Sequence, residues 1–199
     1  MRLNKFILYF FCLLILGFQT AAQDFMQNQS FSPSEIAQAK LTAVDKKRKE
    51  VFFSSPLSVF VLLSPECPLC KNYSTVLNKI NEQFSGDLSV YGIVPGKAYS
   101  AKQINKFIKD FKINFPIYID SKKELTTYIK GTVTPEVILM DKQGDVIYRG
   151  AIDDWVTALG KKKLIVSNEY LKTAIKQNLQ NQIVSIKTVE PIGCLINEF

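Results

Sequence analysis

The chain contains no histidine, and that single absence removes several kinds of chemistry. A serine or cysteine nucleophile activated by imidazole is impossible, as is a histidine-ligated metal centre. A covalent haem site of the Cys-x-x-Cys-His kind is excluded as well, because Lys71 follows Cys70. Long apolar runs are also scarce. The run at 6–18 holds 13 residues, short of the roughly 20 that cross a hydrocarbon core. There is no internal repeat and no low-complexity stretch. Two basic clusters, Lys46-Lys47-Arg48-Lys49 and Lys161-Lys162-Lys163, are short and lack interleaved aromatics. They read as solvated turns, and no nucleic-acid partner is expected.

What is present begins with an export signal. Arg2 and Lys5 precede the apolar run, and Thr20-Ala21-Ala22 supplies the small residues of a cleavage site before Gln23. Residues 1–22 are therefore expected to be a signal peptide, with the mature protein periplasmic in a Gram-negative host or otherwise extracytoplasmic. An uncleaved anchor is the rival reading, and the short run argues against it. Cys12 sits inside the run rather than after a small-residue box, so it is not a lipidation site and leaves with the peptide. Loss of Arg2 and Lys5 takes the formal charge from +7 to +5, a modest excess that bears on solubility and not on fold.

In 199 residues with 47% hydrophobic content, one domain can bury a core without metal or disulfide staples. Residues 23–38 are polar and expected to be flexible. The domain is expected over 39–180, followed by a tail at 181–199 that carries Cys194. Residues 41–44 and 51–54 flank a charged turn and suggest a hairpin. The run LSVFVLL at 57–63 suits a strand buried on both faces and stops at Ser64-Pro65. Beyond it Leu69, Tyr73, Val76, Leu77, Ile80 and Phe84 fall on one helical face, closed by Gly86.

The alternation continues with a strand at 88–94 and a helix carrying Ile104, Phe107, Ile108 and Phe111, which Ser100 is placed to cap. A strand at 115–119, a short helix at 121–130 ending at Gly131, and a hairpin at 137–148 turning on Asp141-Lys142-Gln143-Gly144 come next. A longer connection holds the single tryptophan, Trp155, and a last helix at 168–179 presents Leu171, Ile175 and Leu179. This order predicts an α/β fold with a central mixed sheet flanked by helices on both faces.

Cys67-Pro68-Leu69-Cys70 opens the first long helix. Unpaired amides and the positive end of the helix dipole favour a thiolate on the first sulfur, which makes Cys67 the expected nucleophile. Cys70, one turn further in, is placed to attack the mixed disulfide formed on Cys67 and so to resolve it. Half a zinc site is a poor alternative, since the mature chain offers only Cys194 as a further cysteine ligand. An inert structural bridge is another, but so short a loop restrains the unfolded chain little.

With these residues in view, the segment at 57–84 resembles the active-site strand and helix of the thioredoxin superfamily, in particular its exported redoxin or TlpA-like branch, which is related to AhpC/TSA proteins. Gly131-Thr132-Val133-Thr134-Pro135-Glu136-Val137 is similar to the family's second landmark. The resemblance implies a thioredoxin-like fold, a cis Pro135 opposite the cysteines, and backbone hydrogen bonds from Thr134 to an extended substrate. It implies a thiol–disulfide oxidoreductase that needs no cofactor beyond a redox-active Cys67–Cys70 disulfide. Its partners would be protein thiols and disulfides, with a membrane electron carrier as one candidate for recycling. A monomer is expected, and a disulfide dimer through Cys194 is the alternative.

The departures leave rivals open. Val61 stands where thioredoxin has a buried acid, so proton removal from Cys70 must use another group or water. Such pairs span about −270 to −120 mV, which leaves both directions of exchange open. A thiol peroxidase of the redoxin or peroxiredoxin type would want a proline seven residues before the nucleophile, and Phe60 is there, although Ser64 at three before fits. A Sco-like copper carrier would want a wider cysteine spacing and a histidine, yet Cu(I) accepts three thiolates such as Cys67, Cys70 and Cys194. Cys194 is read either as an auxiliary thiol on a mobile tail or as a small apolar residue in a docked one.

Overall fold

The computed structural model describes residues 29–44 and 52–196. The expected signal peptide, the basic cluster at 46–49 and the last three residues lie outside them. In chain order the elements are α1 (Pro33–Gln38), β1 (Thr42–Ala43), β2 (Leu57–Leu62), α2 (Pro68–Gln83), β3 (Leu88–Pro95), α3 (Ala101–Asp110), β4 (Ile117–Asp120) and α4 (Glu124–Tyr128). Then follow β5 (Val133–Thr134), β6 (Glu136–Asp141), β7 (Val146–Gly150), β8 (Val156–Ala158), β9 (Lys161–Lys162), α5 (Tyr170–Leu179), β10 (Thr188–Val189) and β11 (Cys194–Leu195).

Among the described residues seven strands form one mixed sheet in the order β1-β4-β3-β2-β6-β7-β10. β2 is its centre, parallel to β3 and antiparallel to β6 along its whole length. Every residue of β2 is buried, which accounts for a run that is apolar without alternation. Successive side chains of a strand point to opposite faces. Val59 and Val61 accordingly join a core cluster with Tyr73, Leu77, Ile104, Phe107, Leu171 and Ile175, from α2, α3 and α5. Phe60 and Leu62 join a second cluster with Ile36, Leu125, Ile138 and Met140, on the face that α1 and α4 cover. This is the thioredoxin layout with helices on both faces of the sheet.

Local signals operate where they are strong. Ser100 accepts from the Gln103 amide while the Gln103 side chain accepts from the Ser100 amide, a reciprocal cap that satisfies two orphan donors at the start of α3. β6 and β7 form the expected hairpin, whose Asp141 carboxylate accepts from the amides of Gln143 and Asp145.

The structure departs from the sequence reading in three places. Residues 52–54 form no strand, because Phe53 adopts a φ of 61°. Phe52 packs its ring 5.0 Å from Tyr91 and 5.4 Å from Tyr118, and Phe53 lies 5.7 Å from Phe60. Two adjacent rings sent to one cluster are incompatible with the alternation of a strand. Order also begins earlier than residue 39. Phe31 and Ile36 are buried, the Phe31 amide donates to the Gly144 carbonyl at 2.8 Å, and the Tyr128 hydroxyl donates to Glu35. Finally, the connection after β7 contains the small hairpin β8–β9, so Lys161 and Lys162 lie in a strand rather than a turn, with Lys162 5.4 Å above the Trp155 ring.

Candidate active site

β2 ends at Leu62, and the chain leaves the sheet through Ser64 and Pro65 to enter α2 at its N-cap, Cys67, with Pro68 as the first helical residue. Proline suits that position because its missing N–H would have no helical partner there. The Cys67 side chain makes no cap hydrogen bond. Its sulfur faces the segment before β6, 3.2 Å from the Thr134 carbonyl oxygen. The Thr134–Pro135 peptide bond is cis. Glu136 holds that segment from behind: its carboxylate accepts from the Thr132 amide at 2.8 Å and the Thr132 hydroxyl at 3.0 Å, and pairs with Arg149 at 2.8 Å. Arg149 also donates to the carbonyls of Ile129 and Lys130.

Cys70 is completely buried in the first turn of α2 and is a free thiol. The Ser64 amide donates to its sulfur at 3.4 Å. Burial pushes the Cys70 thiol up to about 11, an effect that the Ser64 amide and the Thr134 hydroxyl offset in part. No acid stands at the Val61 position, which is apolar and buried. Further along α2, the Asp153 carboxylate accepts from the Tyr73 hydroxyl at 2.6 Å. Burial and that carboxylate both hold the Tyr73 phenol above its ordinary range. Trp155 packs edge-on to Tyr73 at 5.6 Å.

The expected Cys67–Cys70 bridge is not the one present. Cys67 is bonded to Cys194, 127 residues away in sequence, with the two Cα atoms 6.2 Å apart, inside the reach of a disulfide. The reason lies in backbone pairing. β11 runs antiparallel to β5 with Cys194 opposite Thr134 and Leu195 opposite Val133. Thr134 thus lies against both cysteines of the bridge. Cys67, Cys70 and Cys194 therefore meet at one place, two of them joined and the third buried in the first turn of α2.

Sequence reasoning missed Glu136, Arg149, Asp153 and the β5–β11 pairing. Glu136 carried a readable signal, an acid inside an otherwise apolar strand. The two-residue strands carried none. As to metals, two of the three sulfurs are bonded to each other, and no group of three His, Cys, Asp or Glu residues among the described residues is arranged to hold an ion.

Comparison with known proteins adds to this geometry. Residues 20–149 match the AhpC/TSA family. No curated protein sequence matches the chain. Among solved structures, an uncharacterized conserved protein from Geobacillus kaustophilus superposes with a TM-score of 0.72 at 22% identity, covering 87% of this chain and 90% of its own. A hypothetical protein, SMc02350, from Sinorhizobium meliloti 1021 gives 0.65 at 24% identity, covering 73% and 81%. A thioredoxin-like protein solved in its oxidized form gives 0.57 at 17% identity, covering 78% and 98%. At these identities the structures speak to the fold alone.

Proposed function

The chain belongs to the AhpC/TSA family, and from that premise we propose that it is a thiol–disulfide oxidoreductase that works on exported proteins through Cys67 and Cys70, outside the cytoplasm. One observation carries the reading: Cys67, at the start of α2 and against the cis Thr134–Pro135 bond, is disulfide-bonded to a cysteine presented on an extended strand. A site that holds such a strand has the geometry of a mixed disulfide with a polypeptide.

The exchange runs as follows. The Cys67 thiolate attacks one sulfur of a substrate disulfide; a Cys67–substrate bond forms, the substrate S–S bond breaks, and the electron pair leaves on the second substrate sulfur, which takes up a proton. Cys70, once deprotonated, attacks the Cys67 sulfur. The Cys67–Cys70 bond forms and the first substrate sulfur leaves as thiolate. The substrate gains two electrons and the pair loses two; run in reverse, the same steps oxidise a dithiol. No bound cofactor takes part. Thr134 offers its backbone to the extended substrate, as β5 now does to β11.

The test is trapping. Cys70→Ser should accumulate a mixed disulfide between Cys67 and an added protein disulfide, visible on non-reducing gels, whereas Cys67→Ser should trap nothing and lose all exchange. Activity retained in Cys67→Ser overturns the reading.

A further inference from the structure

We infer that residues 193–195 occupy, in cis, the strand position of the substrate, so that the tail shows what the site takes: an extended polypeptide with a cysteine preceded by glycine. The tail is also the plug that such a polypeptide must displace. This rests on the exchange chemistry proposed above and adds the substrate class and the gate.

β5 lies outside the seven-stranded sheet, and its ladder partner among the described residues is β11. Without the tail, the backbone of residues 132–134 would present an open edge beside Cys67, the arrangement by which a peptide adds a strand to a domain. The tail fills that edge in full. The Thr134 hydroxyl donates to the Cys194 carbonyl at 3.4 Å, and the Ile196 amide donates to the Thr132 carbonyl at 3.2 Å.

The requirement for glycine comes from close approach. A Cβ on Gly193 would run into the backbone of Thr134, so any larger residue before the cysteine would push the strand off β5. Beyond the cysteine the demand relaxes, since Leu195 is 78% exposed. A cleft of about 200 Å³ bordered by Ser64, Tyr99, Leu195 and Ile196 lies beside the strand.

The tail is held lightly enough to leave. Its anchor is β10, parallel to β7, where Gly150 lets the Val189 backbone come close, and Cys194 lies only five residues past Val189. A leash that short keeps Cys194 at high effective concentration near Cys67. Release needs no outside oxidant or reductant. The Cys70 thiolate attacks the Cys67 sulfur, the Cys67–Cys70 bond forms, the Cys67–Cys194 bond breaks, and the electron pair leaves on Cys194, which takes up the proton that Cys70 gave up. The disulfide count is unchanged; only the edge is freed. The buried, reluctant Cys70 thiol keeps the closed isomer in place until a substrate competes.

The experiment uses the full mature chain and synthetic peptides. The probe is the heptapeptide Glu-Pro-Ile-Gly-Cys-Leu-Ile, copied from residues 190–196, as its mixed disulfide with a chromophoric thiol. Reduced Gly193→Val, whose added side chain pushes the internal strand off β5, should react with it about three- to fivefold faster than reduced wild type, because that strand no longer competes. Replacing the peptide glycine with valine should slow the reaction at least about tenfold. In the chain, Gly193→Val should shift the oxidised protein from Cys67–Cys194 to Cys67–Cys70, read by peptide mapping without reduction. Equal peptide rates for wild type and Gly193→Val, equal rates for the two peptides, or an unshifted disulfide in oxidised Gly193→Val would overturn the inference. A small disulfide, oxidised glutathione, separates the two readings. If Gly193→Val reacts with glutathione but shows no preference between peptides, only this inference falls; if it reacts with neither, the exchange reading falls too.

Discussion

β2 and β11 both present a sulfur to the same point, and they are held there by very different means. β2 is buried along its whole length between β3 and β6, and it delivers Cys67 from the centre of the sheet. β11 is two residues long, pairs with another two-residue strand, and leaves Leu195 mostly in solvent. The difference teaches where rigidity is wanted. A nucleophile must meet every substrate in one geometry, so its support is a packed frame. An occupant that has to leave is held by few contacts and one exchangeable bond.

If the frame is where stability resides, the largest loss should come from breaking it behind the site. Arg149→Leu leaves the buried Glu136 carboxylate without its cation and should cost about 3–5 kcal/mol in urea unfolding. A loss under about 1 kcal/mol would mean that the pair does not hold the β5 segment.

Next in size is the disulfide itself. Cys67–Cys194 closes a loop of 127 residues, whereas a Cys67–Cys70 bridge closes almost none. Reduction of the oxidised wild type should therefore remove about 2–5 kcal/mol, a fall of roughly 5–15 °C in melting temperature. Oxidised Cys194→Ser should change by no more than about 1–2 °C on reduction. Equal shifts would show that the two isomers restrain the chain alike.

The exchange between the two bridges should depend on pH. Cys70 is raised to about 11 by burial, and the thiolate is the attacking form, so its fraction grows with pH up to that value. The conversion of Cys67–Cys194 to Cys67–Cys70 should accelerate about tenfold per pH unit from 7 to 10 and level off above about 11. Quenched alkylation and peptide mapping give the rate. A profile that levels off near pH 8 would mean that Cys70 is not sheltered.

The smallest effect should come from removing the tail in the reduced protein. Ending the chain after Glu190 takes away a short ladder and half-exposed side chains, and stability in the presence of reductant should change by less than about 1 kcal/mol. A larger drop would place the tail in the frame and erase the contrast between the two strands.

Much of this was legible beforehand because it is written locally. The unbroken apolar run of β2, the helical spacing from Leu69 to Phe84, the Ser100 and Gln103 cap and the turn at 141–144 each act within a few residues. They were enough to order the elements and to set Cys67 at a helix start. The pair Phe52-Phe53 misled because two aromatic residues in a row resemble a strand until a positive φ turns both rings into one cluster. α1 was hidden by its polar composition, since Phe31 and Ile36 are the apolar residues that this segment buries.

By itself the sequence determined the layered α/β fold and the placement of a dithiol motif at the end of its central strand, because periodicity, caps and turn residues specify those from near neighbours. Only the tertiary structure decided which sulfur Cys67 holds. Cys70 is three residues away and Cys194 is 127, yet the register of β11 on β5 puts the distant one opposite Thr134, within reach of Cys67. A two-residue strand has no period to read, and its partner is fixed by an open backbone edge that exists only once the sheet has formed.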